Sequence, residues 1–316
     1  MNRFFARGFL PVLLPVLIIW LTAACAGRDN NRADFPPPPP PAVSGISFIN
    51  PLDIPAGLVD PPESPDLFSV RTREKHAVNP DTVGWLYMPN SSIDDVVVWY
   101  PHDYNEFYLR KDFEKRWSWE GSYYADFRTV WGNGTRDEIS RNTVIYGHSM
   151  EDIHNVESMD PQEISLAIAP LFTEFKKLQN ESFARNNPYI YFSTTAEDMI
   201  WEIFSVHYSN IHVPYNDPDP SGAAFEALIQ DSRDRSIWIY DVEVGANDKI
   251  LTLSTCCYNI TPVYPNDYRY VVMARLMEKD AAHKSQAGII RNPEHKPPQA
   301  SFQDPAGQDP ASNAED

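Results

Sequence analysis

Apolar and polar positions alternate in short runs through the middle of the chain. Residues 83–88 (Val-Gly-Trp-Leu-Tyr-Met) and 93–99 flank Pro89-Asn90 and read as two strands separated by a turn. Stretches 122–127, 142–147, 189–193, 199–207, 236–244, 249–254 and 268–276 share the same β-branched and aromatic character and predict further strands. Helical spacing is rarer. A short helix-like segment over 67–77 precedes Asn79-Pro80. Ile164, Ile168, Leu171, Phe172 and Phe175 predict an amphipathic helix over 161–179. Asp217-Pro218-Asp219-Pro220 marks a turn, and Ser221 is placed to cap a helix reaching about Asp231. So many short strands with so few helices predict a mainly β fold. Its expected form is a closed or nearly closed eight-stranded β-barrel with helical insertions and an N-terminal helix.

The two ends break the pattern. Arg3 and Arg7 open the chain, no acid precedes Asp29, and the apolar stretch 9–21 contains Pro11 and Pro15. It is short for a membrane span, which takes about 20 apolar residues. It ends in Leu21-Thr22-Ala23-Ala24-Cys25, small residues before a cysteine, which resembles a bacterial lipoprotein signal with Cys25 as the lipidated residue. An uncleaved anchor and a plain secretory signal are the alternatives. All three place the rest of the chain outside the cytoplasmic membrane. Residues 26–65 carry the unbroken run Pro36 to Pro41 and five further prolines, and read as an extended tether. The globular domain is expected over 66–280. From 281 to 316 the chain is rich in Pro, Gln, Ala, Asp and Asn and is expected to be a disordered tail.

Charge narrows the partners. Among 316 residues, 44 acidic against 26 basic side chains give a net charge of −18. A phosphate-binding surface is basic, so nucleic acid is excluded as a partner. The 13 glycines form no phosphate-binding loop, and neither Cys-x-x-Cys nor His-Glu-x-x-His occurs. No metal and no cofactor is expected. The 3 cysteines make no disulfide framework, and Cys256 and Cys257 are adjacent, a spacing at which a mutual bridge is strained.

Three strand ends carry the candidate chemistry. Leu251-Thr252-Leu253-Ser254-Thr255 leads into Cys256. Thr143-Val144-Ile145-Tyr146-Gly147 leads into His148. Arg269 heads the run Tyr270 to Ala274. A thiol is only a few per cent ionised at neutral pH and becomes a nucleophile when a neighbouring His takes its proton. A fixed guanidinium can hold a developing oxyanion. Each residue also has a plain structural reading: Cys256 as a small buried residue, His148 as a backbone-bonded strand end, Arg269 as a partner of Asp267. His154 competes with His148, and His207 and His212 compete less well.

These segments resemble the active-site segments of sortases, specifically class B. The likeness runs over about residues 70–278. It includes the stretch from Asn79 to Leu86, Tyr108-Leu109 with Asp112-Phe113, Gly121-Ser122 with Asp126, the stretch from Asn142 to Met150, and the helix-bearing insertion around Leu228 to Ser236. The resemblance implies the eight-stranded sortase-type β-barrel and a cysteine transpeptidase. Such an enzyme cleaves a C-terminal sorting signal like Asn-Pro-x-Thr-Asn through a thioacyl intermediate. It passes the acyl group to an amine of a cell wall precursor or a pilin. It also implies Cys256 as nucleophile, His148 as general acid and Arg269 as the clamp on the carbonyl oxygen. Ser254, Thr255 and Tyr215 are the implied substrate-binding residues. Cys257 stands where many members carry an acid. The expected partners are surface proteins bearing the sorting signal, the acceptor amine, and the membrane through the N-terminus. The expected location is the extracellular face of the bacterial cytoplasmic membrane. A thiol hydrolase with water as acceptor and an inactive surface-binding module are the alternatives.

Overall fold

The computed structural model describes residues 66–102, 104–150, 171–257 and 267–298. The lipoprotein-like start, the tether and the first half of the 161–179 helix lie outside them, as do His154 and residues 299–316.

Eight strands close into a barrel, as the strand pattern predicts. They are β1 (Thr82–Tyr87), β2 (Asp94–Val98), β3 (Tyr123–Ala125), β4 (Asn142–Tyr146), β5 (Tyr189–Thr194), β6 (Ile200–Asn210), β8 (Ile250–Cys257) and β9 (Tyr268–Leu276). Around the barrel they run β1-β2-β3-β4-β8-β9-β6-β5. The β2–β3 and β4–β8 pairs are parallel and the rest antiparallel. Closure leaves no barrel edge open to pairing with another chain. Leu86, Val97, Ile145, Phe192, Val206, Leu251, Leu253 and Val272 fill the centre, all fully buried. Each contributes about 1.5–3 kcal/mol by leaving water. Gly84 lets β1 and β5 close: a side chain there would begin 2.3 Å from the Phe192 ring and 2.7 Å from the Ser193 carbonyl.

Helix α1 (Asp66–Val78) packs Phe68 against Trp85, Tyr189, Tyr191 and Met277 on the outside of the barrel. Asp198 accepts the Ser69 backbone N–H and hydroxyl, both at 2.8 Å, and so satisfies donors of the first turn. A 3₁₀ helix, Phe172–Gln179, stands where the second half of the 161–179 helix was expected. Asn180 caps the short helix α2 (Glu181–Asn186) by accepting from the Phe183 N–H. Helix α3 (Gly222–Arg235) starts after Ser221, as the turn cluster predicts, though the Ser221 side chain makes no cap bond.

Two expectations need correction. The 236–244 stretch is not a barrel strand. It contributes β7 (Trp238–Tyr240), which pairs with β10 (Ile289–Arg291) in a separate two-stranded sheet. Residues 281–298 of the expected tail are therefore ordered and belong with the domain. Ala287 and Ile289 are buried in the main core. The Ala287 N–H bonds the Arg185 carbonyl, and Asn292 bonds Ile237 and Ser236. Two large apolar residues among many polar ones were too few for a strand signal, and the pairing partner lies about fifty residues upstream.

Candidate active site

Strand register brings the three sequence-predicted residues together. Strand β4 runs parallel to β8 with Asn142 opposite Ile250 and Tyr146 opposite Ser254. Just past β4, the Gly147 N–H reaches the Ser254 carbonyl and Thr255 Oγ1 donates to the Gly147 carbonyl at 2.8 Å. The same register, continued past the end of β4, puts His148 level with Cys256. On the other side of β8, Cys256 is the direct antiparallel partner of Arg269. Residues opposite one another across strands share a face, with Cβ atoms about 5 Å apart. His148, Cys256 and Arg269 thus form one row across the ends of β4, β8 and β9.

Alternation along β8 separates the two cysteines. Leu251, Leu253 and Cys257 point into the core, and Ser254 and Cys256 point to the opposite face. Cys257 is in no disulfide and is 1% exposed, whereas Cys256 keeps 9%. Cys256 is disulfide-bonded. Its nucleophilic form is the reduced thiolate.

His148 is 6% exposed. Gly147 makes the close packing possible, because a Cβ there would sit 2.7 Å from the Phe172 ring. The Phe172 N–H in turn bonds the His148 carbonyl at 3.1 Å. His148 Nε2 lies 2.7 Å from the Leu109 carbonyl oxygen, which assigns the proton of the neutral ring to Nε2. Burial pushes the imidazole below 6.5, the Leu109 carbonyl opposes this, and Arg110 pushes it down further. The neutral ring then has Nδ1 as its basic atom.

Arg269 is half-buried and close enough to two tyrosines to act on their phenols. Burial pushes the phenols of Tyr124 and Tyr215 up, and in both the Arg269 guanidinium opposes it. Arg275, six residues further along β9, pairs with Glu202 at 3.2 Å toward the far end of β8 and takes no part.

Ser254, Thr255 and Tyr215 fall in different places. Tyr215 Oη lies 3.0 Å from Ser254 Oγ, both buried, so the segment after β6 packs onto the site face. Thr255 alternates to the opposite side, where its hydroxyl ties β8 to Gly147. His207 is buried in β6 with Nδ1 3.0 Å from Ser205 Oγ, and burial, with Arg235 adding, holds it down to about 3. His212 lies 3.9 Å from Asp267.

Sequence reasoning missed the residues that tie the covering segment and β3 to β4. Asn142 donates to the Tyr215 and Asp217 carbonyls at 3.1 and 2.9 Å and accepts from Thr252 Oγ1 at 2.7 Å. Asp126, fully buried, takes a two-pronged bond from Arg128 and accepts from Tyr146 Oη at 2.8 Å. Asn216 reaches the same Tyr146 hydroxyl. Arg110 was also missed, although a cation with Trp117 and Trp119 within ten residues is a visible aromatic–cation signal. Among the described residues no group of His, Cys, Asp and Glu is arranged to hold a metal ion, and no helix is long and apolar enough to cross a membrane.

No protein-family model matches the chain. Over 185 residues it is 26% identical to Sortase B of Listeria monocytogenes, covering 58% of this chain and 66% of that protein, just under two thirds of its length. It is 25% identical over 209 residues to Sortase B of Staphylococcus aureus, covering 64% and 72%. Clostridium perfringens sortase B superposes with a TM-score of 0.52 at 26% identity, over 65% of this chain and 99% of that one. The Staphylococcus aureus sortase B–substrate complex gives 0.54 at 22% identity, over 67% and 87%, a likeness of fold. A sortase B complexed with triglycine shares that fold at the same identity.

Proposed function

The chain is a homologue of the class B sortases, and from that premise we propose that it is a cell-surface cysteine transpeptidase with Cys256, His148 and Arg269 as its reacting groups. The observation that carries this reading is the row itself: a thiol with a guanidinium directly opposite it and an imidazole level with it on the other side.

In the reduced enzyme His148 Nδ1 takes the Cys256 proton. The thiolate attacks the carbonyl carbon of the threonine in an Asn-Pro-x-Thr-Asn-like signal. The carbonyl oxygen becomes an oxyanion facing Arg269, whose planar, permanently charged fork suits that charge. As the peptide C–N bond breaks, His148 returns its proton to the leaving amine. A thioester to Cys256 remains. An amine of a cell wall precursor or pilin then attacks it and gives its proton to His148, and the thiolate leaves. Ser254 and Tyr215 line the groove in this reading, and Thr255 supports it from the opposite face through its hold on Gly147. The sortase B complexes with a substrate and with triglycine support a peptide donor and an amine acceptor. The basic, apolar start ending at Cys25 supports anchoring at the outer face of the cytoplasmic membrane, with Cys25 as the lipidation site.

The test is intact mass of the reduced full-length protein, incubated with an Asn-Pro-x-Thr-Asn peptide and quenched in acid. An adduct of the peptide up to Thr, mapped to Cys256, is expected. No adduct with any signal peptide while Cys256 still alkylates normally would sink the reading.

A further inference from the structure

Arg110 ends the 3₁₀ turn Phe107–Arg110 and lies against the candidate proton carrier. Its Nη1 is 3.4 Å from His148 Nε2 and donates to the Trp119 carbonyl at 2.7 Å. The guanidinium carbon sits 4.7 Å from the Trp119 ring centroid, a cation–π contact that fixes its place. Trp117 tilts against Trp119 at 5.6 Å on the solvent side. Among the described residues no carboxylate pairs with Arg110, in a chain with 44 of them.

The contact with His148 is not an ordinary hydrogen bond. Nε2 already gives its proton to the Leu109 carbonyl at 2.7 Å and has no lone pair left to accept from Arg110. A positive charge is therefore held beside the ring with no bond to it. Leu109 favours the imidazolium and Arg110 opposes it. The other groups at this end are Tyr124 from β3, the Asp126–Arg128 pair just after it, Tyr146 from β4, Tyr215 from the covering segment, Cys256 from β8 and Arg269 from β9. Glu174 and Lys177 on the 3₁₀ helix behind His148 neutralise one another at 2.6 Å.

We infer that Arg110, cradled by Trp119, is a positioning residue that keeps His148 neutral while the Leu109 carbonyl holds the ring proton on Nε2, so that protons enter and leave the ring at Nδ1. It acts through His148 and not on the substrate. It biases the resting pair toward thiol and imidazole, because a positive charge beside the ring opposes the imidazolium. The inference rests on His148 being the proton carrier of the proposed reaction.

The experiment is an NMR titration of the His148 ring in the reduced full-length protein, without peptide, assigned by loss of its signal in His148→Ala. Arg110→Gln is expected to raise the midpoint by about one unit, because a like charge at this range opposes protonation. Arg110→Lys keeps the charge and is expected to stay within about half a unit of the parent. Trp119→Ala frees the guanidinium and is expected to shift in the same direction as Arg110→Gln. The limb of the pH–rate profile that reports His148 should move with it. A His148 midpoint unchanged in both Arg110→Gln and Trp119→Ala overturns the inference even where the Cys256 adduct forms. An absent adduct with the midpoint shifted instead overturns the proposed reaction.

Discussion

Cys256 and Arg269 are direct partners across the antiparallel β8–β9 ladder, so the Cys256 sulfur and the guanidinium share one face by backbone register. Neither needs a loop to hold it there. His148 joins the same row from the parallel side, where β4 and β8 keep a constant offset of 108 residues.

The two cysteines should separate cleanly. Cys256→Ala is expected to abolish the peptide adduct. Cys257→Ala, which trims a core thiol, is expected to keep it and to cost about 1 kcal/mol of stability. Intact mass and urea unfolding of both variants check this, and equal loss of adduct in both would contradict the assignment.

Arg269→Lys is expected to lose about 10²–10³-fold in kcat, because an ammonium cannot reproduce the planar two-donor fork at an oxyanion. Turnover of a fluorogenic sorting-signal peptide measures it. Near-normal turnover removes Arg269 from the oxyanion role.

Acid should destabilise the fold. Both His148 and His207 have folded-state values depressed below 6.5, the latter to about 3. For a group shifted down, protonation favours the unfolded chain, so stability is present above 6.5 and drains away as pH falls toward about 3. Urea unfolding between about pH 7.5 and pH 4.5 should show falling stability, with a shallower fall in His207→Asn. A parent protein that gains stability on acidification would reverse the sign of this argument.

Asn142→Ala is expected to cost about 2–4 kcal/mol, because it removes two buried hydrogen bonds and a part-buried one and leaves two carbonyls and a threonine hydroxyl unmatched. It should also loosen Tyr215 over Ser254, so KM for the peptide rises more than kcat falls. An unchanged KM in a stably folded variant would separate the covering segment from substrate binding.

Gly147→Ala should damage the site more than the fold. The added methyl meets the Phe172 ring at 2.7 Å, and the nearest relief moves the His148 backbone that Phe172 bonds. Activity is expected to drop by about ten-fold or more, from misplacement of the imidazole. A parent-like rate would show that Phe172 yields instead.

Much of this arrangement was legible before any coordinates. Period-two alternation marks most of the barrel strands, and Cys256, His148 and Arg269 each sit where a strand-like run begins or ends. What was hidden depended on distant partners. Strand β10 is three residues long and has meaning only beside β7. Asn142 looks like any polar residue opening a strand until residues 215–217 fold over it. Arg110 follows a Tyr-Leu pair within the recognised resemblance, but its role depends on His148, 38 residues away. Residues 172–179 wind as a 3₁₀ helix, in which the same apolar spacing serves a tighter turn.

The Cys256–Cys257 doublet gives strand β8 a property that a single cysteine would lack. Neighbouring side chains on a strand point to opposite faces, and a slip of one residue exchanges the faces of every one of them. A slipped β8 would present Cys257 beside Arg269 and bury Cys256, with nearly the same chemistry at the surface. In the reduced protein, the thiol that first takes a water-soluble alkylating reagent is therefore a readable gauge of strand alignment. Peptide mapping of a single modified cysteine reports whether a given preparation has closed its barrel in the register that sets Cys256 opposite Arg269.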